Sequence, residues 1–281
     1  MRQMIITFLF CVFCTGIVFV LSAHDAYALR VSLKRVVFEG PKRSEILTII
    51  NNTGEEQTYR LGWRKYKMDE YKSLKAVDEN GDDSGVLWAD DMVRFAPRRV
   101  TIPAGGSQQI RLLLRRPSDL QTAEYRSHLW IVTETKPEKF DIQTDSKDGQ
   151  AIKLAVQPAI SLPVFVRNGA LQASASISDA KLTRTGGGLK ASFVLNREGN
   201  ESIYGDFDFI CTDSGQNKVL KQVRGISVYP EISKRYLDFD IGLGPETATS
   251  CNSVNILYRA DPDDPEFKGK TLAQSTVTLS N

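Results

Sequence analysis

From Ala151 to Val166 the chain alternates without interruption. Ile152, Leu154, Val156, Pro158, Ile160, Leu162, Val164 and Val166 take every second place, with Ala151, Lys153, Ala155, Gln157, Ala159, Ser161, Pro163 and Phe165 between them. Residues spaced by two share one face of a pleated strand, whereas a helix would scatter them around its axis. The segment therefore has to be extended, and one of its faces is apolar throughout. Its back part, Leu162, Val164 and Val166, suits the inner face of a sandwich. Its front part is more than one sandwich needs, since strands usually run to about 5–6 residues. An overlong apolar strand at a sheet edge pairs with other chains unless a partner uses it. The stretch before it, Lys136 to Gln150, is charged and poor in large apolar residues, and reads as a long loop.

The rest of the chain after Leu29 repeats the theme on a smaller scale. Short β-branched or alternating runs are expected as strands at Leu29 to Phe38, Ser44 to Ile50, Thr58 to Lys67, Met92 to Phe95, Arg99 to Ile102, Gln108 to Leu114 and Tyr125 to Thr133. Turn clusters such as Asn51-Asn52-Thr53-Gly54 and Pro103-Ala104-Gly105-Gly106 separate them. After Arg167-Asn168-Gly169 a second block carries another set of such runs, from Leu171 to Leu279. No helical period is sustained. Seven or eight short strands per block predict an all-β chain of two immunoglobulin-like β-sandwiches, residues 29–167 and 168–281.

Residues 1–28 read as a signal peptide: Arg2 is the positive flank, Ile5 to Leu21 is apolar, and Ala26-Tyr27-Ala28 has the small-x-small form. The apolar run is also long enough to be retained as an anchor. Cleavage would remove Cys11 and Cys14 and leave Cys211 and Cys251, an even count suited to one disulfide in an oxidising compartment. It would also remove one base, Arg2, and one acid, Asp25, so the net charge stays at +2. That balance speaks against nucleic acid as a partner. His128 is the only histidine beyond the leader, and no nucleophile or ligand set assembles around it. No catalytic residue, metal site, cofactor or small-molecule substrate is therefore expected. Asp78, Asp82 and Asp83 around Gly81 lack the spacing of a calcium loop and read as a plain hairpin turn.

Several motifs then stand in order. Lys34 to Phe38 (KRVVF), with Asn51 and Trp63 following, Pro97 to Arg111 (PRRVTIPAGGSQQIR) and Glu124 to Leu129 (EYRSHL) lie in the first block. Leu195 to Asn200 (LNREGN), Tyr204-Gly205-Asp206 and Gly225 to Pro230 (GISVYP) lie in the second. Together they resemble the PapD-like periplasmic chaperones of pilus and fimbrial subunits, over nearly all of the chain beyond the leader. The resemblance implies two sandwiches in a boomerang, with strand G of the first donated to a subunit that lacks its last strand, and PapD is among the sandwich folds for which this mode is already described. On that alignment Ile152, Leu154, Val156, Pro158 and Ile160 are strand donors, and Arg35 grips the subunit's terminal carboxylate. The family's usual strand-G lysine is replaced by Pro163, which leaves Arg35 alone or with another base such as Arg126 or Arg167.

The implied partners are pilus or fimbrial subunits and an outer-membrane usher, the implied compartment is the periplasm, and strand G leaves open whether the free protein self-associates through it. A secreted adhesive or carbohydrate-binding module of the same fold is the alternative; it accounts for fold and export but not for the ordered motifs.

Overall fold

The structure, a computed structural model, describes residues 29–281 except 73, 79–80, 135–137, 143–151, 187, 214–216, 244–250, 263–268 and 280–281. The signal peptide expected at residues 1–28 thus lies outside the described residues. Every regular element among those described is a strand. In the first half, β1 (Leu29–Val31), β3 (Ser44–Asn51), β9 (Ser107–Leu114) and β7 (Val93–Ala96) form one sheet in the order β1-β3-β9-β7. The facing sheet runs β2-β13-β10-β4-β8, from β2 (Val36–Phe38), β13 (Ala159–Asn168), β10 (Ala123–Thr133), β4 (Gln57–Arg64) and β8 (Arg99–Ile102). After β4, the short strands β5 (Tyr66–Met68) and β6 (Leu74–Ala76) form a separate antiparallel pair. Between the two main sheets lies a core of Phe38, Leu47, Ile49, Ile110, Leu112, Leu129, Ile131, Val164 and Val166, all at most 1% exposed.

The second half repeats the plan. Its sheets are β14 (Ala173–Thr185), β15 (Gly188–Gly199) and β18 (Lys234–Leu243), in that order, and β17-β16-β19-β20, from β16 (Ile203–Cys211), β17 (Lys218–Val228), β19 (Ser253–Ala260) and β20 (Thr271–Thr278). Phe193, Phe207, Phe209 and Tyr258 fill the space between them. Both halves are immunoglobulin-like sandwiches. Gly169 leads from β13 towards β14 at φ +80°, where a Cβ would sit 2.5 Å from Thr122, so this turn admits no side chain.

Two long strands expected from the sequence are each broken, for reasons visible in the residues. The run Leu29 to Phe38 is β1 in one sheet and β2 in the other, joined by Ser32–Arg35. Its core-facing residues change parity, from Leu29, Val31 and Leu33 to Val36 and Phe38. A single strand cannot turn both sets inward, because its faces alternate with period two.

The run Ala151 to Val166 is β12 (Ile152–Val156) followed by β13, interrupted at Gln157 and Pro158. Pro158 has no N–H for a ladder; its carbonyl accepts from Thr133 N at 3.1 Å, and Gln157 Nε2 donates to Thr133 O at 2.5 Å. The loop expected over Lys136 to Gln150 instead contains β11 (Glu138–Ile142), the antiparallel partner of β12.

Cys211 and Cys251 form the expected disulfide, with 40 residues of sequence separation, at the end of β16 beside β19. Closing a loop of that length stabilises the fold by about 3–4 kcal/mol in the chain-entropy model. Denatured, unreduced protein beginning at Leu29 should show no free thiol, and Cys211→Ala/Cys251→Ala should unfold at distinctly lower urea. Two reactive thiols per chain would rule the bridge out.

Candidate functional site

The edge of the five-stranded sheet is occupied along only part of its length. β2 runs parallel to β13, pairing Val36 with Val164, Val37 with Phe165 and Phe38 with Val166. Ahead of Val164, β13 pairs with β10 on one side only, from Ala159 opposite Val132 to Pro163 opposite His128. β12 likewise pairs on one side, with β11. Among the described residues, an unpaired backbone edge thus extends from Ile152 to Pro163, broken at Gln157 and Pro158. Unpaired N–H and C=O groups of this kind are a template for an added strand.

The five residues expected as strand donors all lie on this edge. Ile152, Leu154 and Val156 stand opposite Ile142, Phe140 and Glu138, and their side chains lie outside the described residues. Pro158 is exposed at the interruption and Ile160 is half-buried. From Leu162 onward the apolar face turns into the protein's own core, with Leu162 2% exposed.

Arg35 stands where the open edge meets β2. It immediately precedes Val36, and Pro163 immediately precedes Val164, the partner of Val36. Its guanidinium lies over the ring of Tyr204, 4.5 Å from the centroid, so the residue faces the second half of the molecule. One residue earlier, Lys34 Nζ is 3.0 Å from Asp261 Oδ2, whose side chain is 3% exposed.

The two further bases suggested by the sequence serve elsewhere. Arg126 is buried, and its guanidinium donates to both carboxylate oxygens of Glu231 at 2.8 and 3.1 Å, to Tyr66 O at 2.8 Å, and lies 3.8 Å over the Tyr229 ring. Arg167 is buried between Glu124 at 3.1 Å and Glu201 at 2.6 Å, while Ser202 Oγ donates to Glu124 at 2.9 Å. Burial pushes the Glu124 carboxyl up, and Arg167 and Ser202 only partly restore it. Burial alone would lower the Arg167 guanidinium, but Glu124 and Glu201 outweigh it and hold the charge. The pairs Arg126–Glu231 and Arg167–Glu201 join the two halves of the chain, as does Ser202 on Glu124. Around them Met68, Phe165 and Tyr229 form a small apolar cluster.

His128 is packed, 1% exposed, edge-on to Tyr66 at 4.9 Å. Burial, with Arg126 adding repulsion, lowers its pKa to about 3. The acidic turn satisfies itself locally: Asp82 accepts from Lys67 Nζ at 2.7 Å and from Ser84 N at 3.0 Å, and Asp83 accepts from Trp88 Nε1 at 3.2 Å. Cys211, Asp213 and Cys251 lie close together, but both sulfurs are spent in the disulfide. Sequence reasoning missed Tyr204, Glu201 and Glu231 as partners of the arginines. Phe165 did carry a signal, since a large aromatic on the polar side of an alternating strand needs a second apolar surface.

No family model matches the chain, and no curated protein does. Solved structures similar to it include the CsuC-CsuE chaperone-tip adhesion subunit pre-assembly complex from archaic chaperone-usher Csu pili of Acinetobacter baumannii, at 10% identity and a TM-score of 0.45, covering 90% of this chain and 100% of that one. The Pseudomonas aeruginosa CupB2 chaperone is similar at 14% identity and a TM-score of 0.44, over 89% of this chain and 100% of that one. The E. coli chaperone DraB is similar at 15% identity and a TM-score of 0.42, over 90% of this chain and 97% of that one.

Proposed function

We propose that this chain is a non-enzymatic periplasmic chaperone of the PapD-like kind, which holds pilus or fimbrial subunits by donating β12 and the front of β13 and passes them to an outer-membrane usher. Residues 29–167 form the subunit-binding unit and residues 168–281 the second unit. The observation that carries this reading is the open edge from Ile152 to Pro163, apolar at every second residue and ending at Arg35. A strand added there can run no further than Pro163, because β2 occupies the edge beyond. If it runs parallel to β13, as β2 does, its C-terminus meets Arg35. A guanidinium suits a terminal carboxylate, since its fork can engage both oxygens.

A subunit missing a strand exposes backbone groups and an apolar cleft, and a donated strand covers both. Each large side chain inserted would contribute about 1.5–3 kcal/mol before ordering costs. The same edge would let the free protein pair with itself.

Val156→Asp tests the proposal. A carboxylate carried into an apolar groove is costly only in the complex, so the variant should keep the parent's melting temperature yet lose at least about tenfold in subunit recovered from periplasm. A large fall in the melting temperature of the free protein, with recovery per folded molecule intact, would make Val156 ordinary core and end the strand-donation reading.

A further inference from the structure

We infer that Tyr204 is the positioning residue for Arg35, so that the cation at the end of the open edge is aimed by the second half of the chain; the inference rests on the carboxylate-binding role proposed for Arg35. Ser32–Arg35 belong to no strand, so no ladder fixes the direction of the Arg35 side chain. Ser32 is tied to the first half, its N–H donating to Thr48 O at 3.0 Å and its Oγ accepting from Thr48 N at 2.9 Å, and Leu33 packs on the first core, whereas Lys34 and Arg35 reach across to the second half. Arg35 stacks on Tyr204, and Lys34 pairs with Asp261. Tyr204 and Asp261 are neighbours at one end of a single sheet, because Gly205 pairs with Ala260, and Tyr204 precedes the one as Asp261 follows the other.

Two consecutive residues of the first half are therefore gripped by two adjacent residues of the second. Burial, and then Asp261, raise the Tyr204 phenol above its usual pKa. The ring stays neutral, and it presents its electron-rich face to the guanidinium without neutralising its charge. An arginine stem has several free torsions, so a platform that holds it in place lowers the ordering cost when a carboxylate arrives. With Pro163 beside it in place of a second base, Arg35 depends more on that support.

The test uses a fluorescent octapeptide of alternating Val and Thr with a free C-terminal carboxylate, together with its C-terminal amide, titrated into the full chain beginning at Leu29. The parent should prefer the acid. Tyr204→Leu should cut that preference by about threefold to thirtyfold, the span of a cation–π contact. Tyr204→Phe, which keeps the ring, should restore it to within about twofold of the parent. A merely structural Tyr204 would weaken acid and amide alike and leave their ratio unchanged, which would overturn the inference. So would a Tyr204→Leu ratio equal to the parent's when Arg35→Ala abolishes the preference, and the carboxylate role would then survive. A parent that does not distinguish acid from amide, or an Arg35→Ala variant that still does, would defeat the Arg35 assignment itself and the inference with it.

Discussion

Acidification from pH 7 towards pH 3 is expected to remove on the order of 5 kcal/mol of folding stability through His128 alone. The imidazole has an unfolded-state pKa near 6.5 and a folded-state value of about 3, lowered by burial first and by Arg126 second. Between those values the unfolded chain binds the extra proton, so stability rises with pH. The contribution is complete above about pH 6.5 and is lost as the pH falls to about 3. Glu124 acts in the opposite direction, because its carboxyl is raised by burial and takes up its proton more readily in the folded state.

His128→Phe separates the two effects. Neither ring nitrogen of His128 has a hydrogen-bond partner among the described residues. The substitution should therefore cost little at pH 7 and should remove most of the acid loss in urea titrations at pH 7, 5.5 and 4.5. An acid loss as steep in His128→Phe as in the parent would sink the assignment.

Arg126→Met is expected to lower stability by about 3–5 kcal/mol, because it strands a buried carboxylate. Glu231 is 2% exposed at its side chain and, of its donors among the described residues, would keep the Met68 N–H at 2.8 Å. Glu231→Gln in the same chain removes the stranded charge and keeps an acceptor for Met68, so the double variant should recover at least half of the loss. Urea denaturation of both singles and the double measures the coupling. A double variant no more stable than Arg126→Met would mean that Arg126 acts through Tyr66 and Tyr229 rather than through Glu231.

The apolar face along the edge strand was readable because it rests on period two, which is local and needs no knowledge of the partner strand. The same holds for the core residues Leu162, Val164 and Val166, which the alternation put on one face and the structure buries. Arg35 was found by motif rather than by period. Its placement at the corner of the edge depends on β2 pairing with β13, strands far apart in the sequence. The loop expected over Lys136 to Gln150 was misjudged because its charges hid β11, whose own alternation is only Phe140 and Ile142, too short to stand out until it pairs with Leu154 and Ile152 of β12.

Sequence alone determined the all-β class, two sets of short strands, the Cys211–Cys251 disulfide and an apolar face too long for one sandwich, since each follows from spacing, turn chemistry or a count. Tertiary structure decided where the chain crosses between sheets and which arginines are consumed. Arg126 and Glu231 are 105 residues apart, and Lys34 and Asp261 are 227 apart. Nothing in the sequence around Arg126 or Arg35 distinguishes an arginine buried between the two halves from one at the corner of a sheet edge. That difference arises only when the second sandwich closes over Arg126 and Arg167 and offers Arg35 a ring to rest on.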